Sequence, residues 1–320
     1  MKKYLFITLL AAVALVACTS DSSTVRFNRF EHLLMDAPAA SLQQTLMANR
    51  DEFDTPLLRY APDDRQYVAM VEQFRSDPAI KYIYHVTDSL YGDLSDIEKQ
   101  LGKALARVEK QSPSIHYDRF YTLVTADFGD YDNRVFCSDH ELAVSIDHYA
   151  IPYMTKYQSF GVPLYMQQML NRDHIVPDCI SAIARAHIAL PDDEMTLLDY
   201  AIAEGKAIYF SKQALPGIHD SILLRYTSEQ FEWMENNTAQ VWAWLIHNKM
   251  LYSHDYNQFH NFIDEAPKTN AFGDGSAPRT TSYIGWQIVK RYMKRNNITM
   301  QELLENTDSQ KILTESGWRP

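Results

Sequence analysis

The stretch Thr196-Leu-Leu-Asp-Tyr-Ala-Ile-Ala-Glu-Gly-Lys-Ala-Ile-Tyr-Phe210 places a carboxylate on the apolar face of a predicted helix. At 100° per residue, Leu197 and Ala201 fall on one side, and Glu204 lies at the edge of the same stripe. An isolated buried carboxylate is costly, so Glu204 needs a partner from another part of the chain. Lys206 points roughly the opposite way and cannot pair with it along this helix. The partner of Glu204 therefore decides between a catalytic and a structural role.

The composition describes an acidic chain that is long enough to bury a sizeable core. It has 320 residues, 46% apolar content and a formal net charge of −11. Such a chain forms one large domain or two small ones. We expect a single domain over residues 25–320, whose N-terminal part, residues 25–115, is a helical subregion. The acidic balance argues against a nucleic-acid-binding surface.

The N-terminus predicts a lipoprotein. Two lysines precede an apolar stretch, Tyr4 to Val16, that is shorter than the roughly 20 residues of a membrane-spanning helix. It ends in Leu15-Val16-Ala17-Cys18, which resembles the lipobox of bacterial lipoproteins. We therefore expect a signal peptide over residues 1–17, lipid on Cys18 that holds the protein to a membrane, and a polar tether over residues 18–24. The alternative is an ordinary signal peptide followed by a coincidental cysteine.

Hydrophobic periodicity predicts a predominantly α-helical α+β fold. Helical spacing fills the chain before residue 115 and again after residue 163. Between them, β-rich runs alternate with turn residues and predict a small β-sheet of three or four strands packed on helices. The predicted strands are Phe120–Thr125, Val135–Cys137 and Leu142–Asp147, with Val25–Phe30 as a short strand or extended segment.

His187 falls on the apolar stripe of the helix predicted before Glu204, seven residues after Ile180. Because consecutive helices usually pack together, we predict a contact between His187 and Glu204. This buried polar pair is either a structural hydrogen bond or an acid–base pair. The structural role is favoured, since no nucleophile or metal motif accompanies the two residues.

The sequence contains no metal or cofactor motif. It has no His-Glu-x-x-His, no Cys-x-x-Cys pair and no glycine-rich phosphate loop. His174 and Asp178 have a spacing that can hold a divalent ion on a helix, but Pro177 predicts a helix start there, so we expect no metal and no cofactor. Cys137 and Cys179 form either a disulfide or two separate thiols, and the sequence leaves both open.

Residues 264–282 are rich in Gly, Pro, Thr and Asp and predict a loop between two aromatic helices. Loops on a rigid scaffold often carry binding residues. Lys268 and Arg279 are the candidate partner surface on this loop. The alternative is a solvated connection that binds nothing.

Six blocks of the mature chain carry a family resemblance. They are Val25-Arg-Phe-Asn-Arg-Phe-Glu31, Ile175-Val-Pro-Asp178, Ala203-Glu-Gly-Lys-Ala-Ile-Tyr-Phe210, Ala239-Gln-Val-Trp-Ala-Trp244, Lys249-Met-Leu-Tyr-Ser253 and Ile284-Gly-Trp-Gln-Ile-Val289. Together they resemble the GldB family of gliding-motility lipoproteins from Bacteroidota, in the order of that family. The resemblance implies a lipoprotein of the outer membrane that faces the periplasm. It also implies a link to gliding motility and to the associated protein-secretion machinery.

The family in turn resembles zinc-dependent peptidases in a degenerate form, which implies a zincin-like core. In those enzymes one helix carries His-Glu-x-x-His and a following helix carries a Glu-Gly pair. Glu204-Gly205 matches the second element, but Ser181–Ala186 of the preceding helix holds no metal ligands. We therefore expect a protein that is not an enzyme and that acts as a binding or assembly factor among envelope proteins.

Two other functions stay open at this point. One is a peptidase-like hydrolase, metal-dependent or acid–base, that uses Glu204 and His187. The other is a binder of envelope glycans or peptides that uses the 264–282 loop and the aromatic residues beside it. The sequence does not identify the partner.

Overall fold

The computed structural model describes residues 24–130 and 134–320. The predicted signal peptide, Cys18 and nearly all of the tether lie outside the described residues. The strands are β1 Phe27–Arg29, β2 Arg119–Leu123, β3 Val135–Ser138 and β4 Glu141–Ser145. The helices are α1 Phe30–Asp36, α2 Leu42–Ala48, α3 Arg50–Phe53, α4 Arg65–Ser76, α5 Pro78–Tyr91, α6 Ser95–Gln111, α7 Leu164–Gln167, α8 Arg172–His187, α9 Leu197–Ala214, α10 Asp220–Leu224, α11 Ser228–His247, α12 Tyr256–Phe259, α13 Thr280–Arg295, α14 Met300–Glu305 and α15 Ser309–Ser316.

The four strands form one mixed sheet in the order β1-β2-β4-β3. Strand β2 pairs in parallel with β1 and with β4, whereas β3 pairs with β4 in an antiparallel hairpin. The parallel pairing of β1 with β2 needs a crossover, and helices α1 to α6 supply it. The predicted α+β class, mainly helical with a small sheet, is confirmed.

Side chains on the two faces of the sheet enter two different hydrophobic cores. On one face, Leu142 and Val144 of β4 belong to the larger core, which includes α6, α8, α9 and α13. On the other face, Tyr121 and Ala143 belong to a smaller core built by α1 to α4. This division follows from the alternation of side chains along a strand. The predicted N-terminal subregion is helical, and the prediction of a single domain over residues 25–320 stays a prediction.

Helix α9 lies at the centre of the larger core. Thr196 caps it with a capping box, in which the Thr196 hydroxyl accepts from the Asp199 N–H and the Asp199 carboxylate accepts from the Thr196 N–H. Leu197 and Ile202 are almost fully buried. Lys206 is buried too, and its Nζ donates to the carbonyl of Asn306 at 2.5 Å. The helix is therefore buried on nearly all sides, as its sequence predicts.

Helix α8 begins earlier than the sequence indicates. Asn171 caps it by accepting a hydrogen bond from the Asp173 N–H, and Pro177 lies inside the helix rather than at its start. A proline has no N–H to donate and is best tolerated in the first turn. Because the cap lies at Asn171, more than one helical turn precedes Pro177. Asp178 and His187 therefore lie in the same helix. None of the helices in the described part of the chain is long and apolar enough to cross a membrane.

Candidate functional site

Two arginines neutralise Glu204 from both sides. The Nε and Nη2 atoms of Arg185 on α8 each lie 3.0 Å from one carboxylate oxygen of Glu204. Arg279 is the residue directly before α13, and its Nη2 atom lies 2.6 Å from the Oε2 atom of Glu204. Such side-on pairing of a guanidinium with a carboxylate forms the strongest charge-assisted hydrogen bonds. Glu204 thus joins three helices through one carboxylate.

The arginines determine the protonation state of Glu204. Burial by itself would raise the pKa of this carboxyl, because a charge is less stable away from water. The charges of Arg185 and Arg279 outweigh that effect and lower the pKa to about 2. Glu204 is therefore ionised at any physiological pH, with both oxygens accepting hydrogen bonds.

The predicted contact between His187 and Glu204 is wrong. The Nε2 atom of His187 lies 3.4 Å from the hydroxyl oxygen of Tyr117, and burial lowers the pKa of the imidazole. His187 is the last residue of α8, whereas Glu204 lies about 10 Å along the axis from the start of α9. Periodicity gives the face of a helix that a residue occupies, but not its level along the neighbouring helix. The longer side chain of Arg185 reaches Glu204 instead.

The ion pairs extend beyond Glu204 into a network. Glu265 contacts Nη1 of Arg225 at 3.1 Å and Nη1 of Arg279 at 3.3 Å. Asp178 accepts from Nε of Arg134 at 2.7 Å and from the hydroxyl of Tyr149 at 2.8 Å. Although burial would raise the pKa of Asp178, the charge of Arg134 holds it well below its usual range. We call these seven charged residues the arginine network: Arg134, Asp178, Arg185, Glu204, Arg225, Glu265 and Arg279.

Four residues of the arginine network line a cavity of about 300 Å³. Three arginines, Asp178 and two serines line it, together with apolar side chains from α8, α9 and α10. Arg185 shows 49% of its side chain, and it reaches this cavity while holding Glu204. The lining residues are Arg134, Val135, Cys137, Pro177, Asp178, Ser181, Ala182, Arg185, Ala186, Ile208, Ser211, Ile222, Leu223 and Arg225. Among the described residues, the lining thus combines three arginines and one carboxylate with apolar side chains.

Two arginines of the network adopt left-handed backbone conformations. Arg225, which ends α10, has φ 59°, and Arg279 has φ 47°. For a residue with a Cβ atom this conformation costs roughly 1–2 kcal/mol. Arg225 also has two buried side-chain donors, Nε and Nη2, without a hydrogen-bond partner. An unsatisfied buried donor costs about 1–3 kcal/mol, so this corner of the fold is strained in two ways.

The predicted partner surface on the 264–282 loop needs correction. Lys268 is partly exposed and forms an ion pair with Asp274. Arg279, by contrast, is 5% exposed and lies inside the arginine network, so it is not a surface residue. The Gly-, Pro-, Thr- and Asp-rich composition of the loop predicts a solvated position, whereas the loop folds Arg279 back onto Glu204 of α9. Of the two predicted residues, Lys268 alone stays a candidate for a surface contact.

The remaining sequence candidates are the two cysteines and His174. Cys137 and Cys179 are both free thiols, so the disulfide alternative is not what the structure shows. Burial raises the pKa of Cys137 to about 11, which keeps it protonated. His174 Nδ1 lies 3.0 Å from Oδ1 of Asn171. No group of three or more His, Cys, Asp or Glu within residues 24–130 and 134–320 is arranged to hold a metal ion.

A basic surface on α13 was not predicted from the sequence. Lys290, Arg291, Lys294 and Arg295 are exposed and line an open groove of about 530 Å³ with Gln287 and Trp318. None of the four cations forms an ion pair with a described residue. The signal was present in Lys-Arg-Tyr-Met-Lys-Arg, since residues four apart share a helix face. We call these four residues the basic face.

Comparison with known proteins identifies a family. The model of the family described as "Gliding motility protein GldB" matches residues 16–320. No curated protein and no solved structure matches the chain. The zincin-like core therefore stays a prediction.

Proposed function

The chain belongs to the GldB family of gliding motility proteins, and from this premise we propose that it is a lipid-anchored component of the cell envelope. It acts by binding other components of the gliding and secretion machinery, without catalysis. It resides on the outer membrane and faces the periplasm. The lipobox at residues 15–18 and the tether that follows it support this placement. A tether of seven residues reaches at most about 25 Å, so the domain stays close to the membrane.

The basic face is the observation that carries the binding role. Two like-charged pairs, Lys290 with Lys294 and Arg291 with Arg295, lie at i,i+4 spacing on α13. Each such pair destabilises a helix by about 0.2–0.5 kcal/mol. This cost opposes the contacts that Lys290 makes with the Trp286 ring and that Arg295 makes with the Ser316 carbonyl. The rest of the chain is acidic, with a net charge of −11. A concentrated basic patch on an acidic protein favours an acidic segment of a partner protein, drawn in by charge complementarity.

The state of Glu204 supports a non-catalytic role over the hydrolase alternative. A catalytic base or zinc ligand needs a carboxylate lone pair directed at a substrate, a water or a metal. In this protein Arg185 and Arg279 engage both oxygens of Glu204. His187, the proposed acid–base partner, contacts Tyr117 instead. The hydrolase would therefore have to break two ion pairs before it could work.

Cross-linking in living cells tests the binding role. The full chain is expressed with Lys290→Gln and Lys294→Gln, and cross-linked partners are recovered from membranes. A matched control carries Lys99→Gln and Lys110→Gln, which remove the same charge from the exposed side of α6. We expect a component of the gliding machinery to cross-link with the wild type and the control. The double variant of the basic face should lose most of that product and reduce colony spreading.

Two results would contradict the proposed binding role. If cells with the α13 variant and cells with the α6 variant give the same amount of cross-linked product and spread equally, the basic face does not bind the machinery. If Glu204→Gln and His187→Ala proteins fold as wild type but each abolishes spreading, the hydrolase alternative gains and the binding role is wrong.

A further inference from the structure

Strand β3 lies at one edge of the sheet, and its outer backbone groups have no partner within the described chain. The Ser145 N–H donates to the carbonyl of Arg134 at 2.8 Å, so these two residues form a hydrogen-bonded pair of the β3–β4 ladder. Opposite residues in an antiparallel ladder alternate between bonded and non-bonded pairs, and the register places Val135 and Cys137 at the non-bonded positions. Their N–H and C=O groups therefore point away from β4, and no described residue forms a hydrogen bond with them.

Strand β1, at the other edge of the sheet, has a partner for its first N–H. The Phe27 N–H donates to Oε1 of Glu98 at 2.9 Å, so a side chain satisfies this donor. Proteins commonly protect an exposed edge with a charged side chain, a proline or a bulge, because free N–H and C=O groups pair with other chains. The four residues of β3 include neither a charge nor a proline, and their pairing with β4 runs without a bulge. The β3 edge is thus open to a further strand.

The cavity of about 300 Å³ contacts this edge. Val135 and Cys137 both line it, together with residues of α8 that lie four positions apart on one helical face. These α8 residues are Pro177, Asp178, Ser181, Ala182, Arg185 and Ala186. Ser181 and Ala182 are small and half-exposed, so the helix presents little bulk to the cavity. An extended chain added to β3 would enter this cavity.

The side chains of an added strand would meet α8. Successive side chains of a strand point to opposite faces of a sheet, so every second one would lie on the same face as Val135 and Cys137. Both of these residues pack against the larger core, to which α8 belongs. Arg185 of α8 exposes 49% of its side chain, and its Nη1 atom forms no hydrogen bond or ion pair with a described residue. An acidic side chain on the added strand would therefore be attracted to α8.

We propose that β3 binds an extended segment of a partner polypeptide as an additional strand of the sheet. The segment lies in the groove between β3 and α8 and pairs with one donor and one acceptor at each of Val135 and Cys137. Donors and acceptors that recur every second residue are a property of an extended backbone, so a polypeptide segment is the ligand that matches them. The main chain then supplies affinity and the alternate side chains supply selectivity. This surface shares no residue with the basic face, so the proposal stands whether or not the basic face binds.

Peptide selection tests the proposal on the full chain purified in detergent. The probe is a phage-displayed library of random heptapeptides, and the most enriched sequence is synthesised in three forms. One form is unmodified, and the other two carry N-methyl groups on the odd-numbered or on the even-numbered amides. A strand directs alternate N–H groups to its two sides, so only one methylated form should lose binding, by about tenfold or more in isothermal titration. A peptide bound as a helix or a loop would not show this alternation.

Variants place the binding at β3. Val135→Pro deletes one outward N–H and leaves the ladder to β4 intact, because proline is tolerated where the N–H of an edge strand faces solvent. It should weaken peptide binding by about tenfold or more. Val135→Thr keeps the backbone groups and the β-branched shape, and this matched control should bind as the wild type does. Ala182→Leu narrows the groove from α8 and should also weaken binding, which decides the question if Val135→Pro does not fold.

Four results would overturn the proposal. In the first, no peptide is enriched over a surface without the protein, and in the second, both N-methylated forms bind equally. In the third, binding is unchanged in a folded Val135→Pro protein or, failing that, in Ala182→Leu. Loss of binding in the Lys290→Gln, Lys294→Gln protein instead would place the peptide on the basic face. In the fourth, analytical ultracentrifugation finds a dimer of the chain that Val135→Pro dissociates, which would assign the edge to a second copy.

Discussion

Gly205 of α9 and Gly285 of α13 lie back to back where the two helices cross. A Cβ atom added to Gly205 would be 2.7 Å from the amide nitrogen of Trp286, and it would also overlap the carbonyl group of Gly285. A Cβ atom added to Gly285 would overlap the carbonyl oxygen of Ala201. The obstacles are backbone atoms, which cannot turn aside as a side chain can. The crossing also brings the start of α13, and with it Arg279, beside Glu204.

Gly285→Ala should therefore destabilise the protein strongly. The added methyl group forces α9 and α13 apart, and overpacking of this kind costs about 1–3 kcal/mol, occasionally more. The free energy of unfolding from urea denaturation measures the effect. Gly217→Ala is the control, because a Cβ atom there meets nothing within 4 Å. We expect the control to stay within about 0.5 kcal/mol of the wild type. Equal stability of the two variants would contradict the close crossing.

Arg279→Met should be among the most damaging single changes in the charged network. It leaves Glu204 and Glu265 each with one cation fewer in a buried setting. Removing one partner of a buried ion pair typically costs about 3–5 kcal/mol. Lys268→Met removes a cation from the exposed pair with Asp274, which solvent screens, so this change should cost much less. Chemical denaturation of both variants compares the two costs, and a small loss in Arg279→Met would show that the network is not a stabilising unit.

Asp147 should make the stability depend on pH near neutrality. This carboxyl is fully buried after β4, where its Oδ2 atom accepts from the Ala126 N–H at 2.8 Å, and burial raises its pKa to about 7. A carboxyl with a raised folded-state pKa stabilises the fold below its unfolded pKa of about 4. That contribution is lost as the pH rises from about 4 to 7.

Asp147→Asn removes this titration and keeps an acceptor for Ala126. The stability of the variant relative to the wild type should increase between pH 4 and 7, by at most about 1.4 kcal/mol per pH unit. Urea denaturation at pH 4, 5.5 and 7 measures the trend. A constant difference over that interval would mean that Asp147 titrates normally.

Arg291→Glu should raise the stability of the protein while it weakens binding to the partner. It replaces a like-charged pair with an attractive pair of Glu and Arg295 at i,i+4 spacing, which stabilises a helix by about 0.2–0.5 kcal/mol. The same change reverses a charge in the basic face and should abolish cross-linking to an acidic partner. Denaturation and cross-linking of one preparation measure both effects. Loss of stability and of binding together would point to a structural role for Arg291.

The fold was predictable where the signal is local. The β-rich run Leu142–Asp147 and the helical periodicity of Thr196–Phe210 each specify an element within a few positions, and the structure contains both. The partners of Glu204 were not predictable in this way. Arg279 lies 75 residues away along the chain, in a loop whose composition indicates a solvated segment. Its left-handed backbone and the helix crossing that places it are tertiary features without a periodic signature.

Strand β1 connects the N-terminal end of the described chain to both hydrophobic cores. It is the first element of the described chain and the one nearest the proposed membrane anchor. Phe27 at its start is embedded in the larger core, and Phe30 directly after its end is embedded in the smaller one. A pull along β1 would load all of its hydrogen bonds to β2 at the same time. It would also have to withdraw the rings of Phe27 and Phe30 from their cores. A short strand of three residues thereby couples the N-terminal end of the described chain to both cores at once.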